Sequence, residues 1–453
     1  MRDRILISIA LVLVVTAMIW ADTADGLASL LLVVALSSVA LAAFRGFSEE
    51  RQFLTTIFLA ALLVRLLFGV FIHVFEYREF FGGDAQTYDI NGWILAEYFR
   101  GNHTGDEFAI QREWATKGIG WGMNYLVAGI YLVFGRNLMA AQSFCAVFGA
   151  ATAPMVYYCG LKMFSNKNVA KTAAFAIAFF PSFIIWSSQL MKDGLIIFLL
   201  VLAMTMVLQL QKELSYGAVL VLILALFGIL SLRFYIFYMV IVAVIGTFVV
   251  GLTTSLNSII RRMAVLVILG LGLTYLGVIR NAGSDIERYA NLERIQITRQ
   301  DQAVSAESGF NEDVDVSTAE GAISAIPVGL LYLLFAPFPW EMTSFRQLIT
   351  LPEVLIWWAL FPVMVAGLWY AVRQRLRPSM PILVFSLMLT LAYSIFQGNV
   401  GTAYRQRTQI QVFLFLFIAV GITLYRESRE NKKLFLAARR RQIDDALRAR
   451  GGV

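Results

Sequence analysis

The chain is written as a succession of apolar stretches near 20 residues long, and that feature limits what it can fold into. About 20 apolar residues in a helix cross the ~30 Å hydrocarbon core of a bilayer. Twelve runs are clear: 5–20, 27–44, 53–75, 138–161, 168–191, 193–211, 217–232, 234–251, 263–279, 350–372, 379–396 and 408–425. Two more, 119–134 and 324–338, are apolar but ambiguous. Of the 453 residues, 59% are hydrophobic and 15% charged. Soluble domains average about 45–50% apolar and about 25% charged. A polar surface could not cover such a chain, so the predicted fold is an all-α polytopic membrane protein of about 12 transmembrane helices plus external interfacial helices.

Charge placement gives the expected orientation. The net charge is +7, but the charges are segregated. From Arg426 to the end there are nine Lys/Arg and four Asp/Glu, while the stretch Arg280 to Ala325 has four basic and nine acidic residues. If 119–134 and 324–338 lie along the surface, the basic loops fall on one side and the acidic ones on the other. The positive-inside rule then puts both termini in the cytoplasm. This pattern points to membrane lipids, not nucleic acid, as the partner. The start lacks a convincing cleavage site and reads as a retained first helix. Cys145 and Cys159 lie roughly 21 Å apart on one helix and cannot bond to each other. With only His73 and His103, a histidine-based zinc site is not expected.

Several polar residues gather on the outward side. Asp84, in EFFGGDAQTYD, follows Gly82 and Gly83 about nine residues beyond an apolar run. Glycine permits close approach there, so a carboxylate could reach a substrate whose tail is in lipid. It could equally cap the short amphipathic helix that follows. Asp89 lies five residues on. Lys192 and Asp193 stand between two apolar runs with no loop to dilute them, where charge is costly unless paired or functional. Arg233 and the pair Arg405 and Arg407 break the positive-inside bias, and arginine forks suit phosphate oxygens. Arg65, inside an apolar run, should face the bundle interior. Tyr88, Tyr404 and Trp340 are expected to line the substrate. A carboxylate to take a proton from a hydroxyl, with cations to hold a phosphate leaving group, suits chemistry on a lipid-linked phosphate.

The layout VRLLFGVFIHVFEYREFFGGDAQTYD, then FGRN, YYCGLKMF and PSFIIWSSQLMKD, resembles the GT-C superfamily of integral-membrane glycosyltransferases. It is similar to bacterial aminoarabinose transferases and protein O-mannosyltransferases over about residues 53–211, and AIPVGLLYLLFAPFPWEM extends the likeness. The resemblance implies a polyprenyl-phosphate-linked sugar donor and inverting transfer at the external, periplasmic face of a bacterial inner membrane. The acceptor would be a lipid-linked glycan, a lipid or a protein. It implies Asp84 as general base, Asp193 as a second acidic residue, and Lys192, Arg233, Arg405 and Arg407 as donor phosphate-binding residues. No cofactor is required, and Asp84, Asp89 and Asp193 would suit magnesium or manganese. Two helices in 1–52 precede the family layout, and the adjacent Asp-Glu pair of the mannosyltransferases is not present at Asp84.

The expected organisation is a core over 53–279 with an external loop 76–118, an external loop 280–349 with an interfacial helix, C-terminal helices over 350–425 and a basic cytoplasmic tail over 426–453. The stretch 280–325 reads as partly disordered, with a lid as its expected role. Its four arginines also suit an O-antigen polymerase or ligase. A flippase for lipid-linked saccharides would instead need broken helices and charge inside the bundle.

Overall fold

A computed structural model describes residues 2–44, 50–77, 83–102, 106–117, 120–250, 256–276, 291–304, 308–310 and 314–450. Gly82 and the residues just before it, His103, Arg280 and Arg288 lie outside the described residues. The described chain is helical; its one extended pairing is a bridge between Gly309 and Asn399.

Three helices come first: α1 (Arg2–Ala21), α2 (Thr23–Ala43) and α3 (Arg51–Val74). Next are α4 (Asp84–Arg100), α5 (Asp106–Lys117) and α6 (Trp121–Phe134). The central bundle holds α7 (Leu138–Phe164), α8 (Lys167–Phe179), α9 (Pro181–Ser187), α10 (Lys192–Lys212), α11 (Tyr216–Leu232), α12 (Phe234–Val250) and α13 (Leu256–Tyr275). Then come α14 (Leu292–Val304), α15 (Ala319–Phe335), a 3₁₀ turn at Pro339–Glu341 and the single-turn α16 (Phe345–Leu348). The chain closes with α17 (Leu351–Gln374), α18 (Leu376–Phe396) and α19 (Val400–Arg450). Among the described residues, each of the twelve apolar runs is mainly helical. Among the described residues, seven helices are long and apolar enough to cross a membrane, or eight with the bent pair α8 and α9 taken as one span.

Polar contacts sort the helix ends into two sets. Asn137, which caps α7, donates to the Asp25 carbonyl near the start of α2 at 3.0 Å. Gln142 of α7 donates to Gly69 late in α3 and to Ser188 beyond α9, at 2.8 and 2.6 Å. Arg233 after α11 meets Asp193 at the start of α10. These ends share one side of the bundle, called here the site end. Lys212 of α10 reaches the Lys162 carbonyl of α7 at 3.3 Å, at the opposite end. Helix α6 starts beside Lys192 and finishes three residues before Asn137. Helix α15 runs past Ser394, and the Leu334 carbonyl near its end accepts from Arg407. Both stay at the site end, and neither traverses the bundle.

Two sequence expectations need correction. The run 168–191 is not one helix. Pro181 has no N–H, and its ring disfavours α geometry at the residue before it. Phe180 accordingly sits at φ −70° and ψ 130°, and the two halves bend by 54°. The corner 397–407 is likewise not a loop. Asn399 accepts from the backbone N–H groups of Gly401 and Thr402 at 2.6 and 3.2 Å, a cap that starts α19 at Val400. That helix also continues through the basic tail to Arg450.

Close packing joins α17 to α19 through small residues, as membrane helices commonly do. A Cβ on Gly367 would lie 1.9 Å from the Phe417 carbonyl, and one on Gly421 would lie 2.1 Å from that of Val363. Gly246, in α12, meets nothing within 4 Å. Gly367→Val should therefore lower stability by about 1–3 kcal/mol or more, and Gly246→Ala should not. Thermal unfolding in detergent checks this; equal behaviour of the two variants would contradict the packing.

Candidate active site

Four separate elements bring their charges together at the site end. Asp84 is the first residue of α4, whose N-cap is Gly83. As the first helical residue it is not the cap, and its carboxylate is turned to another element. Asp193 is in the first turn of α10, where the positive end of the helix dipole favours an anion. Arg233 ends α11 in extended geometry, φ −149° and ψ 93°, which turns its side chain back into the bundle. Arg405 lies in the second turn of α19.

Arg405 joins the two carboxylates. Its Nη2 donates to Asp84 Oδ2 at 2.6 Å and its Nε to Asp193 Oδ2 at 2.7 Å. Arg233 Nη2 donates to the other Asp193 oxygen at 2.8 Å. The Asp193 side chain is 0% exposed and that of Asp84 is 45% exposed. A buried carboxylate costs on the order of several kcal/mol unless it is well paired, and here each Asp193 oxygen has its own guanidinium. Arg233 is fixed in turn by Tyr235 and Tyr393, whose hydroxyls accept at 3.1 and 3.4 Å, and Tyr393 donates to Gln409 at 2.7 Å. The Trp186 ring lies 5.8 Å from the Arg405 guanidinium.

Lys192 completes the cluster. Its ammonium is 5.8 Å from the Tyr88 ring and forms no hydrogen bond or ion pair among the described residues. Gly120, at φ +80°, leaves room for it; a Cβ there would be 2.9 Å from Nζ. Tyr88 is one turn beyond Asp84 on α4. Burial, then the Asp84 carboxylate, push its phenol well above the usual range, which keeps it protonated. The set is three cations and two carboxylates, with an outlet to solvent at Asp84.

Other residues named from the sequence lie apart. Asp89 accepts from Arg136 at 2.7 Å and from the Tyr131 hydroxyl at 2.6 Å. That hydrogen bond holds the Arg136 guanidinium firmly protonated. Five residues along a helix is about 140° of rotation, so Asp89 cannot share the face of Asp84. Arg407 is two residues from Arg405 and faces away for the same reason. It is fully buried and donates to the carbonyls of Leu334 and Ala336 at 3.1 and 2.9 Å. Tyr404 is buried, its hydroxyl accepting from Ser182 at 3.0 Å, and Ser182 also meets the Glu353 carboxylate. Trp340 is 74% exposed and stacks on Phe338, with Trp358 beside it. Arg299 of the 280–325 stretch donates to the Val314 carbonyl and so holds that loop together.

As a metal site the donors fit poorly. Asp84 and Asp193 are both held by Arg405, and Asp89 sits on another face. Among the described residues no three His, Cys, Asp or Glu side chains cluster as ligands.

Residues 113–279, a little over a third of the chain, match the family model of dolichyl-phosphate-mannose-protein mannosyltransferases. This is the GT-C type of integral-membrane glycosyltransferase that the sequence resembles. The matched region holds Lys192, Asp193 and Arg233, and neither Asp84 nor Arg405. No curated protein matches the chain. Among solved structures it is similar to ArnT from Cupriavidus metallidurans, crystallised bound to undecaprenyl phosphate, with 17% identity and a TM-score of 0.41. The likeness covers 67% of this chain and 49% of that one, so the chain spans about half the length of that protein.

The ion-pair geometry sets different costs for the two acidic residues. Asp193→Asn removes both of its buried ion pairs, leaves Arg233 without a counter-charge and should lower stability by about 3–5 kcal/mol. Asp89→Asn removes a partly solvated pair and should cost about 1 kcal/mol. Thermal unfolding of both variants in detergent measures this; an Asp193 variant as stable as the Asp89 variant would contradict the assignment.

Proposed function

We propose that this chain is a membrane glycosyltransferase that moves a sugar from a polyprenyl-phosphate-linked donor to an acceptor hydroxyl, with inversion. The observation that carries the reading is the half-exposed Asp84 carboxylate, tied through Arg405 to a buried acidic residue and ringed by cations. A helix start at the end of a membrane bundle suits a substrate with a sugar in water and a tail in lipid.

In this reading the donor phosphate binds between Lys192 and Arg405. Among the described residues Lys192 has no hydrogen bond to give up, and Arg405 exchanges one carboxylate for the phosphate. That exchange frees Asp84 Oδ2. The carboxylate then takes the proton of the acceptor hydroxyl. The acceptor oxygen attacks the anomeric carbon from the face opposite the phosphate, through an oxocarbenium-like transition state. The bond from carbon to phosphate oxygen breaks, and the lipid phosphate leaves with the electron pair. Lys192 and Arg405 meet the charge that develops on it, so no step calls for a metal ion. Arg233, buried against Asp193, orients that carboxylate and does not touch the donor. The acceptor is a lipid-linked glycan, a lipid or a protein. The basic loops support an orientation with both termini cytoplasmic and the site on the periplasmic side of a bacterial inner membrane.

Two observations favour a flippase: a helix is broken at Pro181, and Arg65 is buried inside the bundle. The Arg65 donors, however, are engaged with helix carbonyls and Ser187, not aimed at a pathway.

Asp84→Asn separates these readings. It should reduce sugar transfer from a defined polyprenyl-phosphate sugar by ~10²-fold or more, with folding and undecaprenyl-phosphate binding kept. Full turnover by this variant would exclude the base role. Lipid movement across vesicles with no glycosidic product would favour the flippase.

A further inference from the structure

We infer that Arg65 is a positioning residue for this site: it holds the broken helix α8–α9 in the geometry that presents Trp186 and Asp193 to Arg405. This rests on the function proposed above.

Arg65 is 0% exposed near the middle of α3. An arginine at that depth is expensive, and a leucine would pack there at less cost. Among the described residues, none of its hydrogen-bond partners is a carboxylate. All five are neutral oxygens: Nε donates to Ser187 Oγ at 2.8 Å, Nη1 to the carbonyls of Ala61 and Ala178 at 3.0 and 2.9 Å, and Nη2 to those of Ile177 and Phe183 at 3.2 and 3.4 Å. The groups it satisfies explain its presence. A helix leaves its last carbonyls without partners, and Pro181 cannot supply the N–H that would meet Ile177. The guanidinium closes the end of α8 and grips α9 as well. One side chain of α3 thus replaces the backbone bonds that the break removes.

The grip passes on to the site through close packing. Ser187 fills the space where Gly149 and Gly194 have no side chain; Cβ atoms there would lie 2.3 and 2.6 Å from the Ser187 Cβ. Gly194 follows Asp193 directly. Gln142 holds the Ser188 carbonyl from the other side, so the stretch from Ser188 to Met191 is fixed where α10 begins. On the far side of the break, Ser182 bonds Glu353 of α17 and Tyr404, the neighbour of Arg405. If α9 shifts, Asp193 leaves Arg233 and Arg405, and Trp186 leaves the Arg405 guanidinium. Arg65 touches none of the reacting groups, yet their spacing depends on it.

The test uses Arg65→Met with Pro181→Ala, because residue 181 then regains an N–H for the Ile177 carbonyl and the protein keeps a way to fold. Wild type, Pro181→Ala and the double variant are compared by hydrogen exchange over 188–195, by undecaprenyl-phosphate binding through tryptophan fluorescence, and by sugar transfer. The double variant should exchange over 188–195 at least tenfold faster than Pro181→Ala, bind undecaprenyl phosphate at least tenfold more weakly, and transfer sugar ~100-fold more slowly. Arg65→Lys, which keeps the charge and three donors, should recover most of all three, and it carries the test if the methionine forms do not fold. Exchange and binding unchanged from Pro181→Ala would overturn the inference while leaving the function intact. A wild-type protein with no affinity for undecaprenyl phosphate would overturn the function, and the exchange comparison would still decide whether Arg65 positions Asp193.

Discussion

One guanidinium, that of Arg405, ties together parts of the chain that are more than 300 residues apart. It spans Asp84 on α4 and Asp193 on α10 from a third helix, α19. Without it, Asp193 would keep a single arginine in a fully buried position, which charge does not tolerate well. Asp84 would lose its ion pair. The same interaction is exchangeable, because Asp84 is half in solvent while Asp193 is not. A phosphate can therefore displace one carboxylate and leave the other to hold the arginine in place.

The surrounding fold serves this arrangement by putting helix ends, rather than helix middles, at one level. The starts of α4, α10 and α19 and the end of α11 all lie there. Two shorter apolar helices, α6 and α15, close around them at the site end. The Pro181 break shortens one span so that α10 begins within reach of Arg233, and Arg65 satisfies the carbonyls that this exposes. The buried arginines thus divide between two tasks. Arg65 and Arg407 bond helix carbonyls, and Arg233 and Arg405 bond the carboxylate of Asp193.

How much of this was legible depended on the range of the signal. Apolar run length is local, so the described parts of the predicted runs are mainly helical, and Lys192, Arg233 and Arg405, singled out as charges in apolar or outward contexts, lie at the same end of the bundle. Asp89 and Arg407 were grouped with them by nearness in sequence, and helix rotation separates them. Reading 397–407 as a loop hid that rotation; the capping Asn399 ahead of VGTAYRQR was the available clue. Pro181 was visible, but the bend needed the Phe180 backbone to be taken seriously as extended. The pairing of Arg405 with both Asp84 and Asp193, and the Tyr393 support behind Arg233, are long-range contacts that no spacing encodes.

The central claim is that donor phosphate and Asp84 compete for one arginine. The most direct measurement is a structure of the protein in a lipid nanodisc with undecaprenyl phosphate bound. The account predicts the phosphate within hydrogen-bond reach of Lys192 and Arg405, the pair between Arg405 and Asp193 kept, and Asp84 released toward solvent. A phosphate bound elsewhere, with the pair between Arg405 and Asp84 still intact, would contradict it.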